Sequence, residues 1–117
     1  MRSGASLAVA AALLLGLAGC VSIPAPGYQP SIANAEAITG YQSRPIAVGA
    51  FAAAPGVRDQ GLDMRGSKLD GAPHGGYAGY LRQAVQVELE NARRLDPASA
   101  LRIEGTLTRN DLDISGI

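Results

Sequence analysis

Between residues 76 and 95 apolar side chains recur at three- and four-residue steps: Tyr77, Leu81, Ala84, Val85, Leu89, Ala92 and Leu95. At 3.6 residues per turn these positions stack on one side of a helix, and Arg82, Gln86, Glu90, Arg93 and Arg94 lie largely away from it. A helix with one apolar face has to bury that face, so the chain needs a second layer for it to pack on. Glu90 and Arg94 form a favourable i, i+4 pair, and Asp96-Pro97 closes the predicted helix. Gly79, near its start, costs about 1 kcal/mol of helix propensity against Ala and predicts close packing or a frayed first turn.

The flanking segments supply the second layer. Ile46, Val48, Ala50 and Phe51 form a short apolar run that predicts a buried strand, opened by Pro45 and stopped by Pro55-Gly56. Leu101, Ile103 and Leu107 alternate with Arg102, Glu104 and Thr106, the pattern of a half-buried strand. Past Thr108 the phase reverses at Leu112 and Ile114, which predicts a turn or bulge near residues 109–111 and a further strand. An apolar strand broken off at Ile117 points to a longer parent chain. Residues 56–75 read as a long polar, glycine-rich connection pinned to the core by Leu62, Met64 and Leu69. The order strand, helix, strand, strand predicts an α+β domain over residues 44–117. Its parts are a short strand, a long loop and an amphipathic helix packed on a small, mainly antiparallel sheet.

The first twenty residues follow different rules. Arg2 precedes an apolar stretch from Leu7 to Leu17 that is too short to span a hydrocarbon core of about 30 Å, so residues 1–19 read as an export signal. The stretch closes on Leu17-Ala18-Gly19-Cys20, which resembles the lipobox of bacterial lipoproteins, and the resemblance covers these residues alone. It implies cleavage between Gly19 and Cys20, a diacylglycerol thioether on the Cys20 sulfur and an N-acyl chain on the freed amine. Each buried CH₂ contributes about 0.8 kcal/mol, so two or three acyl chains would form a stable membrane anchor. Val21-Ser22 after the cysteine, in place of an Asp, implies the outer membrane of a Gram-negative bacterium, on its periplasmic face. Residues 20–43, with Pro24, Pro26 and Pro30, then read as a lipidated, flexible tether of about 25 to 30 Å, in which Tyr28 and Tyr41 are incidental.

Processing leaves 98 residues with nine basic against ten acidic side chains. A chain this small supports one domain, and without a basic stripe it is not expected to bind nucleic acid. With Cys20 consumed by lipid, no thiol remains for a disulfide, a redox pair or a metal. Asp111, Asp113 and Ser115 fall at positions one, three and five of a calcium-loop opening, with Gly116 at six. The acid at position twelve is lacking, and Leu112 and Ile114 look like core, so an acidic strand edge is the favoured reading and no metal is expected.

Residues 71–76, glycine-rich and just before the helix, could hold an anion with Lys68 or Arg65. They lack the Gly-Lys-Ser/Thr of a phosphate loop and read as a flexible helix entry. His74 is the sole histidine. Glu88 and Glu90 are two residues apart and diverge, Glu90 towards solvent and Glu88 nearer the apolar face, where it can cap or pair across to the sheet. Nothing here assembles a catalytic constellation, and neither an enzyme nor a dissociable cofactor is expected. The arrangement is loosely similar to small periplasmic lipoproteins that present a helix-backed sheet as assembly or accessory factors, of the lipopolysaccharide-assembly and cell-wall-synthase activator types. That likeness implies an interaction domain reaching an envelope protein or cell-wall partner by its sheet face or residues 56–75. The alternative is a small-ligand or calcium-binding periplasmic module.

Overall fold

A computed structural model describes residues 21–41, 44–64 and 66–112. In chain order the elements are β1 (Val21–Pro24), α1 (Ile32–Tyr41), β2 (Ala47–Ala53), β3 (Gly61–Met64), β4 (Ser67–Asp70), a 3-10 turn (Ala72–His74), α2 (Tyr77–Asn91) and β5 (Arg102–Leu107). The class is α+β, as expected, but the strands form two small sheets, β1-β4-β3 and β2-β5, and their pairing is not mainly antiparallel. β2 pairs with β5 and β1 with β4 in parallel, and β3 with β4 is the one antiparallel pairing among the described residues. The reason lies in the connections. Parallel neighbours cannot be joined by a tight turn and need a crossover, which α2 provides between β2 and β5.

The apolar face of α2 lies on β2 as its periodicity requires. Ala78, Ala84, Leu89 and Ala92 are buried together with Ile46 and Ala47 at the start of β2. Most of these are alanines, so large side chains contribute little to this core. Leu89, 4% exposed, is among the larger ones, and its burial contributes about 1.5 to 3 kcal/mol. On the other side of α2, Arg82 reaches a β-bulge, where β2 spends one extra residue between Val48 and Phe51. Its Nε donates to the Gly49 carbonyl at 2.9 Å and its Nη2 to the Val48 carbonyl at 3.3 Å. The guanidinium thus satisfies the carbonyls that a bulge withdraws from the strand ladder.

The start of α2 is closed by a long-range contact and its end by a local one. At its start Gly76 offers no side chain, and Asp59 caps the helix from the preceding connection. Its Oδ1 accepts from the Ala78 N–H at 2.8 Å and its backbone carbonyl from Tyr77 at 2.6 Å. Gly76 sits at φ +90°, and a Cβ there would lie 2.2 Å from Asp59 Oδ2, so the cap requires glycine. Gly79 answers to packing and not to fraying, since a Cβ would meet the His74 carbonyl at 2.2 Å. At its other end α2 stops at Asn91, ahead of Asp96-Pro97. Arg93 adopts φ +56°, and the N–H groups of Arg93 and Arg94 return to the carbonyls of Glu90 and Leu89 at 3.0 and 2.8 Å. This is the double hydrogen-bond pattern of a left-handed helix cap, built on arginine where glycine is usual. Leu95 is released to bridge Ile46.

Residues 56–75 are shorter of loop than expected, because β3 and β4 pair in antiparallel fashion, from Gly61 opposite Asp70 to Met64 opposite Ser67. Leu62 is buried opposite Leu69, as a pinning residue should be, with Met64 and Leu69 half-buried. The flexible tether is corrected over its described part. Val21 and Ile23 place β-branched side chains in a strand that pairs along β4, Ala25 N–H continues to the Asp70 carbonyl at 2.8 Å, and α1 follows. Ser31 starts α1 as its cap, its hydroxyl accepting from Asn34 N–H at 3.1 Å. The further strand expected after residue 111 has no counterpart at Asp111 and Leu112, and residues 113–117 lie outside the described residues.

Two substitutions test the closures of α2. Arg93→Gly relieves a left-handed residue and should stabilise the chain by a few tenths to about 1 kcal/mol, after the added flexibility of glycine is offset. Asp59→Ala should destabilise it by about 1 kcal/mol, the worth of a lost helix cap. Thermal or urea denaturation followed by circular dichroism reads both, and the two shifts should have opposite signs.

Candidate functional site

Glu88 is the buried charged residue of the described chain, 7% exposed in the middle of α2. Its partners come from the segment expected to be a tether. Oε1 accepts from the Tyr28 hydroxyl at 2.5 Å, the Asn34 side-chain amide at 3.0 Å and the Ser31 backbone N–H at 3.1 Å. Oε2 is buried and has no hydrogen-bond partner among the described residues. Three donors on one oxygen stabilise the ionised form, with Tyr28 the largest influence and Asn34 next, so the Glu88 carboxyl titrates below the usual carboxylate range. The same bond pushes the Tyr28 phenol up.

Tyr28 is placed by its neighbours. Its ring stands edge-on to Tyr80 at 6.3 Å, and Tyr80 stands edge-on to His74 at 5.2 Å. His74 Nε2 lies 2.7 Å from the Ala25 carbonyl and Nδ1 lies 3.2 Å from Gln83 Oε1. The sole histidine therefore clamps the segment leading to Tyr28 against α2, and both ring nitrogens are engaged in that task.

Beside Glu88 an open cleft of about 600 Å³ lies between α1, α2 and the starts of β2 and β5. Its walls are aliphatic: Ile38 of α1, Leu81, Val85 and Leu89 of α2, Ile46 beside β2 and Ile103 of β5. Tyr28, Asn34 and Glu88 form the polar end, and Glu88 is the one charged residue that lines the cleft among the described residues. Leu81, on the predicted buried face, is 38% exposed because it borders this space and not a strand. A concave apolar volume with a few convergent polar groups is the usual form of a small-molecule site.

The sequence candidates fall elsewhere. Gly19 and Cys20, the proposed cleavage and lipidation residues, lie outside the described residues, as do Asp113 and Ser115. Asp111 is described and is paired with the exposed Arg109, whose guanidinium it holds still more firmly protonated. The N–H groups at the start of α2, a candidate anion site, are taken by Asp59. Glu88 does not pair across to the sheet; it accepts the N–H of Ser31 at the start of α1, together with the side chains of Tyr28 and Asn34. Sequence reasoning placed Glu88 near the apolar face and passed over Tyr28 and Asn34. Ser31 before the alanine-rich run 32–37 was the available signal, as a cap and helix start that would have brought Asn34 into view. No family model, curated protein or solved structure matches the chain.

The hydrogen bonds to Glu88 imply a defined pH dependence. A carboxyl whose pKa is lowered on folding adds stability that is fully present above the ordinary carboxylate range and is lost as pH falls through the depressed value. The protection factors of the α1 amides, that is, the intrinsic exchange rate at each pH divided by the observed one, should therefore fall across that acidic window in the wild-type chain. Glu88→Gln should show lower protection at neutral pH and a flat protection profile, and a profile unchanged by the substitution would remove Glu88 as the group that holds α1.

Proposed function

We propose that the chain is a lipid-anchored lipoprotein of the Gram-negative outer membrane, facing the periplasm, whose folded domain is a non-enzymatic binding module. The binding role rests on the cleft between α1 and α2, an aliphatic hollow of about 600 Å³ that ends on a buried carboxylate. Its size falls in the range of small-ligand sites. The anchor rests on Leu17-Ala18-Gly19-Cys20. Two observations favour binding over catalysis. His74 is spent on fixing residues 25–28, and the hydrogen-bonded oxygen of Glu88 is occupied by three donors of the chain itself. The site that fits a small molecule lies on α2, residues 28–41, Ile46 and Ile103, so the described part of residues 56–75 serves to hold the start of α2.

Cys20→Ala separates anchoring from folding. In cells fed labelled fatty acid, the variant should carry no acyl label and should accumulate with residues 1–19 still attached. Normal processing and labelling of the variant would remove the lipoprotein reading and leave the cleft untouched.

A further inference from the structure

We infer that the cleft takes an aliphatic amine, its apolar body along Ile38, Leu81, Val85 and Ile103 and its ammonium group turned to Glu88. The inference rests on the proposed binding role of the same cleft and adds the chemistry of the ligand. Three observations carry it. The walls are aliphatic over most of their length, so the ligand gains by placing hydrocarbon there. Among the described residues that line the cleft the single charge is the Glu88 carboxylate, so a cation is favoured and an anion is repelled.

The third observation is the asymmetry of that carboxylate. Among the described residues Oε1 has three donors and Oε2, buried in a residue 7% exposed, has none. A buried acceptor without a donor is costly, and a charged N–H donor compensates best. α1 is the wall that can adjust to admit it. None of its residues is buried, and Ser31 and Asn34 hold it to α2 through the same carboxylate. An alcohol of equal length would gain the apolar contacts and lose the charge. A carboxylic acid would place a second negative charge against Glu88.

The experiment titrates the full chain, held in nanodiscs of zwitterionic lipid, with octylammonium, octanol and octanoate, reading methyl NMR shifts at Ile38, Leu81 and Val85. Octylammonium should bind about tenfold or more tightly than octanol, the worth of one charge-assisted hydrogen bond, and octanoate should bind more weakly than either. Glu88→Gln should bring octylammonium and octanol to similar affinity. In the unaltered chain the ¹³C resonance of the Glu88 carboxyl should move with octylammonium and stay with octanol, a readout that does not depend on the variant folding. Equal affinity of all three ligands, or an unmoved Glu88 resonance, would overturn the amine inference while leaving an apolar binding cleft. No methyl shift with any of the three would overturn the cleft itself and the inference with it.

Discussion

The parallel pairing of β2 with β5 governs the rest of this small domain. Two strands running the same way leave their connection at the wrong end, so the chain between residues 53 and 102 must cross back over the sheet. α2 makes the crossing, and its apolar face covers the start of β2. The residues on either side of α2 are then arranged by what the crossing leaves undone. Asp59 supplies the missing cap, Arg82 takes the carbonyls of the β2 bulge, and Arg93 turns the chain so that Leu95 can reach Ile46. Each is a polar solution to a problem created by backbone geometry.

The same crossing explains why the buried core is poor and the cleft is large. Two strands and one helix cover one another along a narrow seam filled by Ala47, Ala84, Leu89 and Ala92. Beyond the seam, Leu81 and Val85 on α2 and Ile103 on β5 line the cleft, with no further strand among the described residues to meet them. α1 approaches that space as a wall. Its attachment is mainly polar, through Tyr28, Ser31 and Asn34 to Glu88, and the apolar side chains between the two helices do not close over one another. Hydrogen bonds are directional and fix α1 in place; they do not fill volume, and the hollow persists.

What the sequence made legible follows from the length of each pattern. α2 repeats its apolar positions over four turns, and β5 alternates over six residues, so both can be read directly. β3 and β4 are four residues each, too short for alternation to stand out from a polar loop, although Leu62 was already marked as a buried pin. α1 could not be found by periodicity because it has almost no apolar stripe to bury. The parallel direction of β2 and β5 escaped for another reason: strand patterns carry no sign of direction, which only the intervening helix settles. Glu88 was legible as a misplaced charge near an apolar face, but its partners lie 54 to 60 residues earlier in the chain, a distance no local pattern spans.

The cap on α2 binds two distant positions into one unit. The Asp59 carboxylate occupies the space that a side chain at position 76 would need, and Gly76 has the backbone angle that L side chains rarely adopt. In a diverging lineage neither position can drift alone. A larger residue at 76 displaces the carboxylate, and loss of the carboxylate at 59 leaves a bare helix start beside a glycine. Among relatives of this chain, positions 59 and 76 should therefore change as a pair, and the pair would mark kinship even where little else in the sequence is retained.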